Sequence, residues 1–461
     1  MSIISGYMVP HPPLAVSEVG RGEEKAVQAT LDSFDAVARD IAAMAPETII
    51  ISSPHTVMYS DYFHICPGDS ASGDFGDFRA PAVSFQLEYD TELRDLLCQK
   101  CEEKNFPAGR SGVRSPRLDH GVMVPLYFVN KYYKNYKLLR LGLSGLSLTE
   151  HYKLGILIAE SVEETGRKAA FIASGDLSHC QKEDGPYGYR PEGPSYDEHI
   201  MDVMRKGAFG ELFYFDENEL EKAEECGHRS FVIMAGAFDK KSLDIRPLSH
   251  EATFGVGYGF CIYTVTGDDG NRAFLDRYLK EEADKLQEER EKEDPYVRLA
   301  RASVESWVRD GKVIDIPENL PADMLSKEAG TFVSIHEHGR LRGCIGTISA
   351  TRPSIASEII GNAISASTKD PRFAPIGKDE LPYLTITVDV LGETEPIPDK
   401  SFLDTKRYGV IVNKGSRRGL LLPNLEGIDS VDEQIAIARQ KAGIRPDEKI
   451  ELERFEVVRH Y

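Results

Sequence analysis

Short apolar runs alternating with longer amphipathic stretches set the rhythm of the first half of this chain. The runs Ile3-Ile4-Ser5-Gly6-Tyr7-Met8-Val9, Thr48-Ile49-Ile50-Ile51-Ser52, Lys137-Leu138-Leu139-Arg140-Leu141-Gly142-Leu143 and Ala169-Ala170-Phe171-Ile172-Ala173 are all of strand length. They predict buried strands, whereas Glu23 to Ala43 and Thr149 to Glu164 carry apolar residues at helical spacing. Strand and helix in alternation predict parallel βαβ units, with the strands' carboxyl ends along one sheet edge. Phe254 to Val265 alternates like a last strand; its glycines are no nucleotide fingerprint, because no helix follows closely. Glu217 to Ala237 reads as a helix broken near Gly227, residues 67 to 78 as a polar loop, and Arg190 to Tyr196 as a Pro/Gly-rich lid.

The pattern changes after residue 265. Residues 273 to 293 are dense in Lys and Glu, which predicts a solvated helix acting as a spacer. Beyond it come a helix from Tyr296 to Asp310, a hairpin from Gly330 to Thr347 turning at His338-Gly339, and a helix from Ile355 to Thr368. Strands follow at Leu384 to Leu391, Tyr408 to Asn413 and Gly419 to Pro423, then a helix from Val431 to Ala442 and a terminal strand near Ile450 to Val458. This mixture lacks βαβ regularity. The expectation is an α/β N-terminal domain with a mainly parallel central sheet (1–265), a charged helical linker (266–294) and a separate α+β domain (295–461).

Composition narrows the classes. At 461 residues the chain exceeds what one core serves, and 41% hydrophobic residues mark it as globular. A formal net charge of −20 excludes a general nucleic-acid or acidic-membrane surface, which needs clustered Lys and Arg. With no export signal and no long apolar span, a soluble cytoplasmic protein is expected. The seven widely spread cysteines read as reduced thiols. Cys98 and Cys101 lie in a helical pattern without a second pair, as two thiols one turn apart rather than a zinc or redox site.

Candidate chemistry gathers on histidines. His11 follows the first strand within Pro10-His11-Pro12-Pro13, and His55 follows the second within Ser53-Pro54-His55. Either alone reads as a loop histidine held for structural reasons. Two at equivalent strand ends point to metal ligation, since neutral imidazole is the commonest ligand for divalent iron, manganese or zinc. Leu118-Asp119-His120-Gly121 and Gly175-Asp176-Leu177-Ser178-His179 supply two more imidazoles.

These four motifs, in this order, resemble the catalytic subunit of class III extradiol ring-cleavage dioxygenases, the LigB superfamily. The resemblance implies a single non-haem Fe(II) on His11, His55 and a third ligand, with another divalent metal such as Zn or Mn as the alternative. It makes His179 a proton-moving acid/base and His120 its companion in the pocket. The dioxygenase pattern gives the third position to Glu225. The MEMO branch of the superfamily has a Cys-Gly pair there, which Cys226-Gly227 matches. A hard carboxylate suits Fe(II), so Glu225 is preferred and Cys226 is the alternative.

Residues 295 to 461 resemble the AMMECR-type domain through Leu341-Arg342-Gly343-Cys344-Ile345-Gly346-Thr347, Asp370-Pro371-Arg372-Phe373 and Gly419-Leu420-Leu421-Leu422-Pro423. Here Arg342 either stabilises a Cys344 thiolate, making a second site, or pairs with a carboxylate while Cys344 fills the core. The combination is similar to the non-radical components of the AmmeMemoRadiSam system. Two functions are therefore expected: Fe(II)-dependent cleavage of a catechol-type aromatic diol, or a metal-binding partner of a radical S-adenosylmethionine protein in protein or RNA modification, without dioxygenase activity. Extradiol subunits of this class commonly pair, which leaves a homodimer open.

Overall fold

The computed structural model describes every residue except Met1, His338 and Glu426. The chain divides into two compact units, Met1–Leu279 and Lys280–Tyr461, and a helix Phe274–Lys292 runs across the division. No helix among the described residues is long and apolar enough to cross a membrane.

In the first unit the elements that position the site are β1 (Ile3–Val9), α1 (Gln28–Met44), β2 (Thr48–Ser53), α2 (His120–Val129), β3 (Lys137–Gly142), α3 (Leu148–Thr165), β4 (Ala169–Ser174), α4 (Glu192–Lys206), α5 (His228–Ala237), β5 (Lys241–Glu251) and β6 (Tyr258–Asp268). The six strands form one sheet in the order β3-β2-β4-β1-β6-β5. The first four are parallel, and β6 and β5 extend the sheet antiparallel. Every residue of β2 and β4 is buried, as expected of strands covered on both faces. Ile50 and Phe171 enter the core on one side of the sheet, Ile49, Ile51 and Ile172 the core on the other.

Several sequence expectations are corrected. The helix expected from Glu23 begins as a 3₁₀ turn at Glu23–Val27, and the α-helix starts at Gln28. The polar loop expected at 67 to 78 contains the strand Ser70–Phe75, paired with Ala80–Glu88 and anchored by buried Ala71 and Phe75. The lid expected at Arg190 to Tyr196 is mostly the first turns of α4, whose Tyr196 is buried. Residues 217 to 237 form two helices, Glu217–Ala223 and α5, with the break centred on Glu224 at φ 51°.

His151 sits wholly buried on α3, with Nδ1 facing the Ser147 carbonyl at 2.9 Å. Burial pushes its pKa down from 6.5 to about 3. The unfolded chain gains this proton near pH 6.5 and the folded chain only near 3, so the unfolded state binds more protons in between. Stability is expected to fall as pH drops from about 6.5 toward 3, and a lower urea midpoint at pH 5 than at pH 7 would show it. Equal midpoints would contradict this assignment.

In the second unit a helix Pro295–Asp310 and a helix Ile355–Thr368 pack on an antiparallel sheet. Its strands are β7 (Thr331–Glu337), β8 (Arg340–Gly346), β9 (Leu384–Leu391), β10 (Glu395–Ile397), β11 (Tyr408–Lys414), β12 (Arg417–Leu421) and β13 (Glu451–His460). They run β8-β7-β9-β13-β11-β12, with β10 also on β13. His338 of the expected β7–β8 turn lies outside the described residues. The architecture is an α/β domain with a mainly parallel sheet followed by a separate antiparallel α+β domain.

Candidate metal centre

Parallel neighbours β2, β4 and β1 end side by side, so the loops leaving them meet at one edge, the usual place for chemistry in an α/β sheet. His11 leaves β1, His55 leaves β2, and Asp176 and His179 leave β4. His120 arrives from elsewhere, as the first residue of α2. Asp119 ties it to the His55 loop, accepting hydrogen bonds from Ser53 Oγ (2.6 Å), Thr56 Oγ1 (2.7 Å) and, as the helix cap, Val122 N (3.2 Å). The His55 and His120 rings consequently lie 4.0 Å apart.

Hydrogen bonding fixes the tautomer of His11. Ser174 Oγ donates its single proton to the Gly121 carbonyl at 2.6 Å and stands 2.9 Å from His11 Nδ1. Nδ1 therefore carries hydrogen and donates to Ser174, which leaves Nε2 as a bare lone pair. That lone pair faces His55 Nε2 at 3.0 Å and Cys226 Sγ at 3.7 Å. The donor atoms of His11, His55 and Cys226 all lie within 4.8 Å of one another. Two metal–nitrogen bonds of about 2.0–2.1 Å meeting near a right angle span the observed nitrogen separation, so the set fits one small cation.

Of the two candidates for the third position, Cys226 turns toward the histidines and Glu225 turns away. The Glu225 carboxylate accepts the His228 backbone N–H at 2.6 Å and so satisfies a free donor in the first turn of α5. Cys226, the alternative to Glu225, is the one whose donor atom gathers with those of His11 and His55. Cys226 is held by backbone contact with the end of β4, where Sγ accepts Asp176 N (3.3 Å) and Cys226 N reaches Asp176 O (3.4 Å).

The imidazoles are all biased toward the neutral form that binds metals. Burial, then the neighbouring histidines, holds His11 well below its ordinary pKa, and burial followed by His55 brings His120 down to about 4. Burial also lowers His55 and His179. Burial pushes the Cys226 thiol up, helped by Asp176 and Glu225. A bound cation reverses that last tendency by deprotonating a coordinating thiol.

His179 lies outside the donor cluster, its ring stacked 5.2 Å from that of Tyr187. Two residues of the site had no role assigned from sequence. Ser174 sets the His11 tautomer, and Asp176 Oδ1 accepts the His11 backbone N–H at 2.8 Å. Burial raises the Asp176 pKa to about 7, with the His11 bond opposing and Asp197 assisting. A cavity of about 330 Å³ adjoins the centre, with His55 and His120 on one wall.

In the second unit Arg342 is paired to Glu380, Nε to Oε2 at 2.6 Å and Nη2 to Oε1 at 3.1 Å, and also donates to the Ala374 carbonyl. Cys344 is half-buried, its Sγ accepting Ser334 Oγ at 3.2 Å and its backbone N–H donating to Asp370 at 2.9 Å.

A family model described as the catalytic LigB subunit of aromatic ring-opening dioxygenase matches residues 5–261, and one described as AMMECR1 matches residues 297–460. Protein CA_C1420 of Clostridium acetobutylicum is 44% identical over 469 aligned residues, covering 100% of this chain and 99% of its own. A protein of Thermotoga maritima is 51% identical over 170 residues, 36% of this chain and 98% of its own. Among solved structures, protein PH0010 of Pyrococcus horikoshii is similar at 32% identity with a TM-score of 0.34, over 36% of this chain and 88% of its own. The chain belongs to the LigB family and carries, in the same polypeptide, an AMMECR1 domain.

Proposed function

We propose that the LigB-type domain is a metalloenzyme that holds one divalent ion on His11, His55 and Cys226 and acts on a catechol-type aromatic diol in the adjoining cavity. The observation that carries the reading is the convergence of two imidazole nitrogens and a thiol, with the His11 lone pair facing the other two donors and His55 shared with the cavity lining. Fe(II) is the metal of the ring-opening reaction. Zn(II) suits the same imidazole–thiolate set, whereas Mn(II) prefers oxygen donors. When bound, the ion supplies Lewis acidity and orients the diol.

The chain's own residues do the rest. His179, neutral at pH 7, takes a hydroxyl proton from the diol, and His120 holds a substrate oxygen by hydrogen bond. Tyr187 steadies the His179 ring from the solvent side of the stack. Full-length protein loaded with Fe(II) without oxygen, then mixed with catechol and dioxygen, is expected to cleave the ring. His179→Ala is expected to slow turnover about a hundredfold with metal content unchanged. Full activity of His179→Ala would contradict its role as the proton carrier.

A second reading draws on Cys226. A thiolate in place of a carboxylate favours softer chemistry than dioxygen activation on Fe(II), which supports a metal-binding partner of a radical S-adenosylmethionine protein. Metal-loaded protein that turns over no aromatic diol would favour it.

A further inference from the structure

His179 is aimed by its backbone. Among the described residues its ring has a stacking neighbour in Tyr187, at 5.2 Å, and no hydrogen-bond partner. Its direction therefore follows from how the loop Leu177 to Cys180 is held. His179 N and Ser178 Oγ both donate to the Ala223 carbonyl, at 3.2 and 2.7 Å, and the Ser178 carbonyl accepts Gly257 N at 2.8 Å. A side chain from another element joins them: Asp197 on α4, 1% exposed, whose Oδ1 accepts the Ser178 N–H at 2.8 Å. A hydrogen bond to a charged acceptor is roughly twice as strong as a neutral one, so the Asp197 bond contributes most to holding this loop.

That carboxylate is itself pinned. Asp197 Oδ2 stands 2.9 Å from Nε2 of His250 on β5, so its two oxygens are bound by different elements and the carboxylate is not free to turn. Burial raises the Asp197 pKa, and the bonds from His250 and Ser178 oppose that rise. Two glycines make room for the arrangement. A Cβ at Gly257 would stand 1.9 Å from Asp197 Oδ2, and one at Gly193 would stand 2.7 Å from Ser178 Oγ. Gly257 belongs to the glycine series that marks no nucleotide site; its missing side chain lets the carboxylate reach the His179 loop.

We propose that Asp197, fixed by His250, is a positioning residue for His179: it offers no donor to the metal centre and acts by holding the Ser178 backbone, which sets where the next residue's imidazole stands. What His179 does there rests on the metalloenzyme reading above; the placing of its ring does not.

Two measurements on the full-length protein test this. In metal-free protein with labelled histidine and tyrosine rings, a nuclear Overhauser cross-peak between His179 and Tyr187 is expected, identified by its absence in His179→Ala, and Asp197→Ala is expected to lose it. Asp197→Asn, whose amide oxygen still accepts the Ser178 N–H, is expected to keep it. In Fe(II)-loaded protein Asp197→Ala is expected to lower kcat for catechol about tenfold with KM and metal content unchanged, and to add no further loss in a His179→Ala background, because both changes act on one step. Absence of the cross-peak from the unaltered protein, or its persistence in Asp197→Ala, would overturn the proposal, as would a kcat loss that recurs in the His179→Ala background. His250→Leu, at a side chain 26% exposed, decides the question if Asp197→Ala does not fold: it is expected to weaken the same cross-peak, and an unchanged one would overturn the pinning. Absence of diol turnover in the unaltered protein would count against the metalloenzyme reading and leave the ring measurement to decide the positioning.

Discussion

Cys226→Ala is expected to lower metal affinity about a thousandfold, while Glu225→Ala keeps the metal and loses only stability. Structural zinc sites with four ligands bind with about 10–16 kcal/mol, so one donor accounts for about 3–4 kcal/mol, or roughly three decades. Cys226 Sγ stands 3.7 Å from the His11 lone pair, and an alanine there removes the one sulfur donor of the three-residue set. Glu225 spends its carboxylate on the His228 N–H. Its removal uncaps α5 and is expected to cost about 1–2 kcal/mol without touching the donors. Metal content of both variants, purified without oxygen and read by elemental analysis, separates the two. Retained metal in Cys226→Ala with lost metal in Glu225→Ala would reverse the assignment.

Gly175→Ala is expected to damage the centre from outside it. A Cβ at Gly175 would stand 2.1 Å from Gly227 Cα and 3.0 Å from Gly227 N, and backbone cannot rotate aside. That close approach is what lets Cys226 and Asp176 exchange their contacts through N–H groups, at 3.3 and 3.4 Å. Forcing the two chains apart is expected to cost about 3 kcal/mol and to carry Sγ away from His11, so stability and metal content fall together. Gly267→Ala is the control, since nothing lies within 4 Å of its added carbon. A Gly175→Ala protein with unaltered melting and full metal content would show that the close approach does not position Cys226.

Much of this arrangement is written locally. The aliphatic runs of β1, β2 and β4 leave little choice but buried parallel strands, and the prolines after them fix where His11 and His55 stand. Elements without a buried face were harder to see. β5 has no fully buried position: Leu243, Ile245 and Leu248 only lean against the cores, so no alternation marks it. The strand Ser70–Phe75 buries only Ala71 and Phe75 among small and polar residues, which read as loop.

At the site, residue types were legible and directions were not. Glu225 and Cys226 are adjacent in a break opened by Glu224 in the left-handed region, and which of them turns inward depends on Gly175, some fifty residues away. Ser174 and Asp176 act on a histidine more than 160 residues earlier in the chain. Arg342 finds Glu380 in the same way, across 38 residues that carry no periodic signal of the pairing.

His11, His55 and Cys226 are expected to hold one ion together. X-ray absorption on the full-length chain loaded with one equivalent of Zn(II) tests it most directly. A single sulfur at about 2.3 Å together with imidazole nitrogens at about 2.0–2.1 Å is expected, and the loss of that sulfur in Cys226→Ala. A first shell of nitrogen and oxygen alone in the unaltered protein would contradict it.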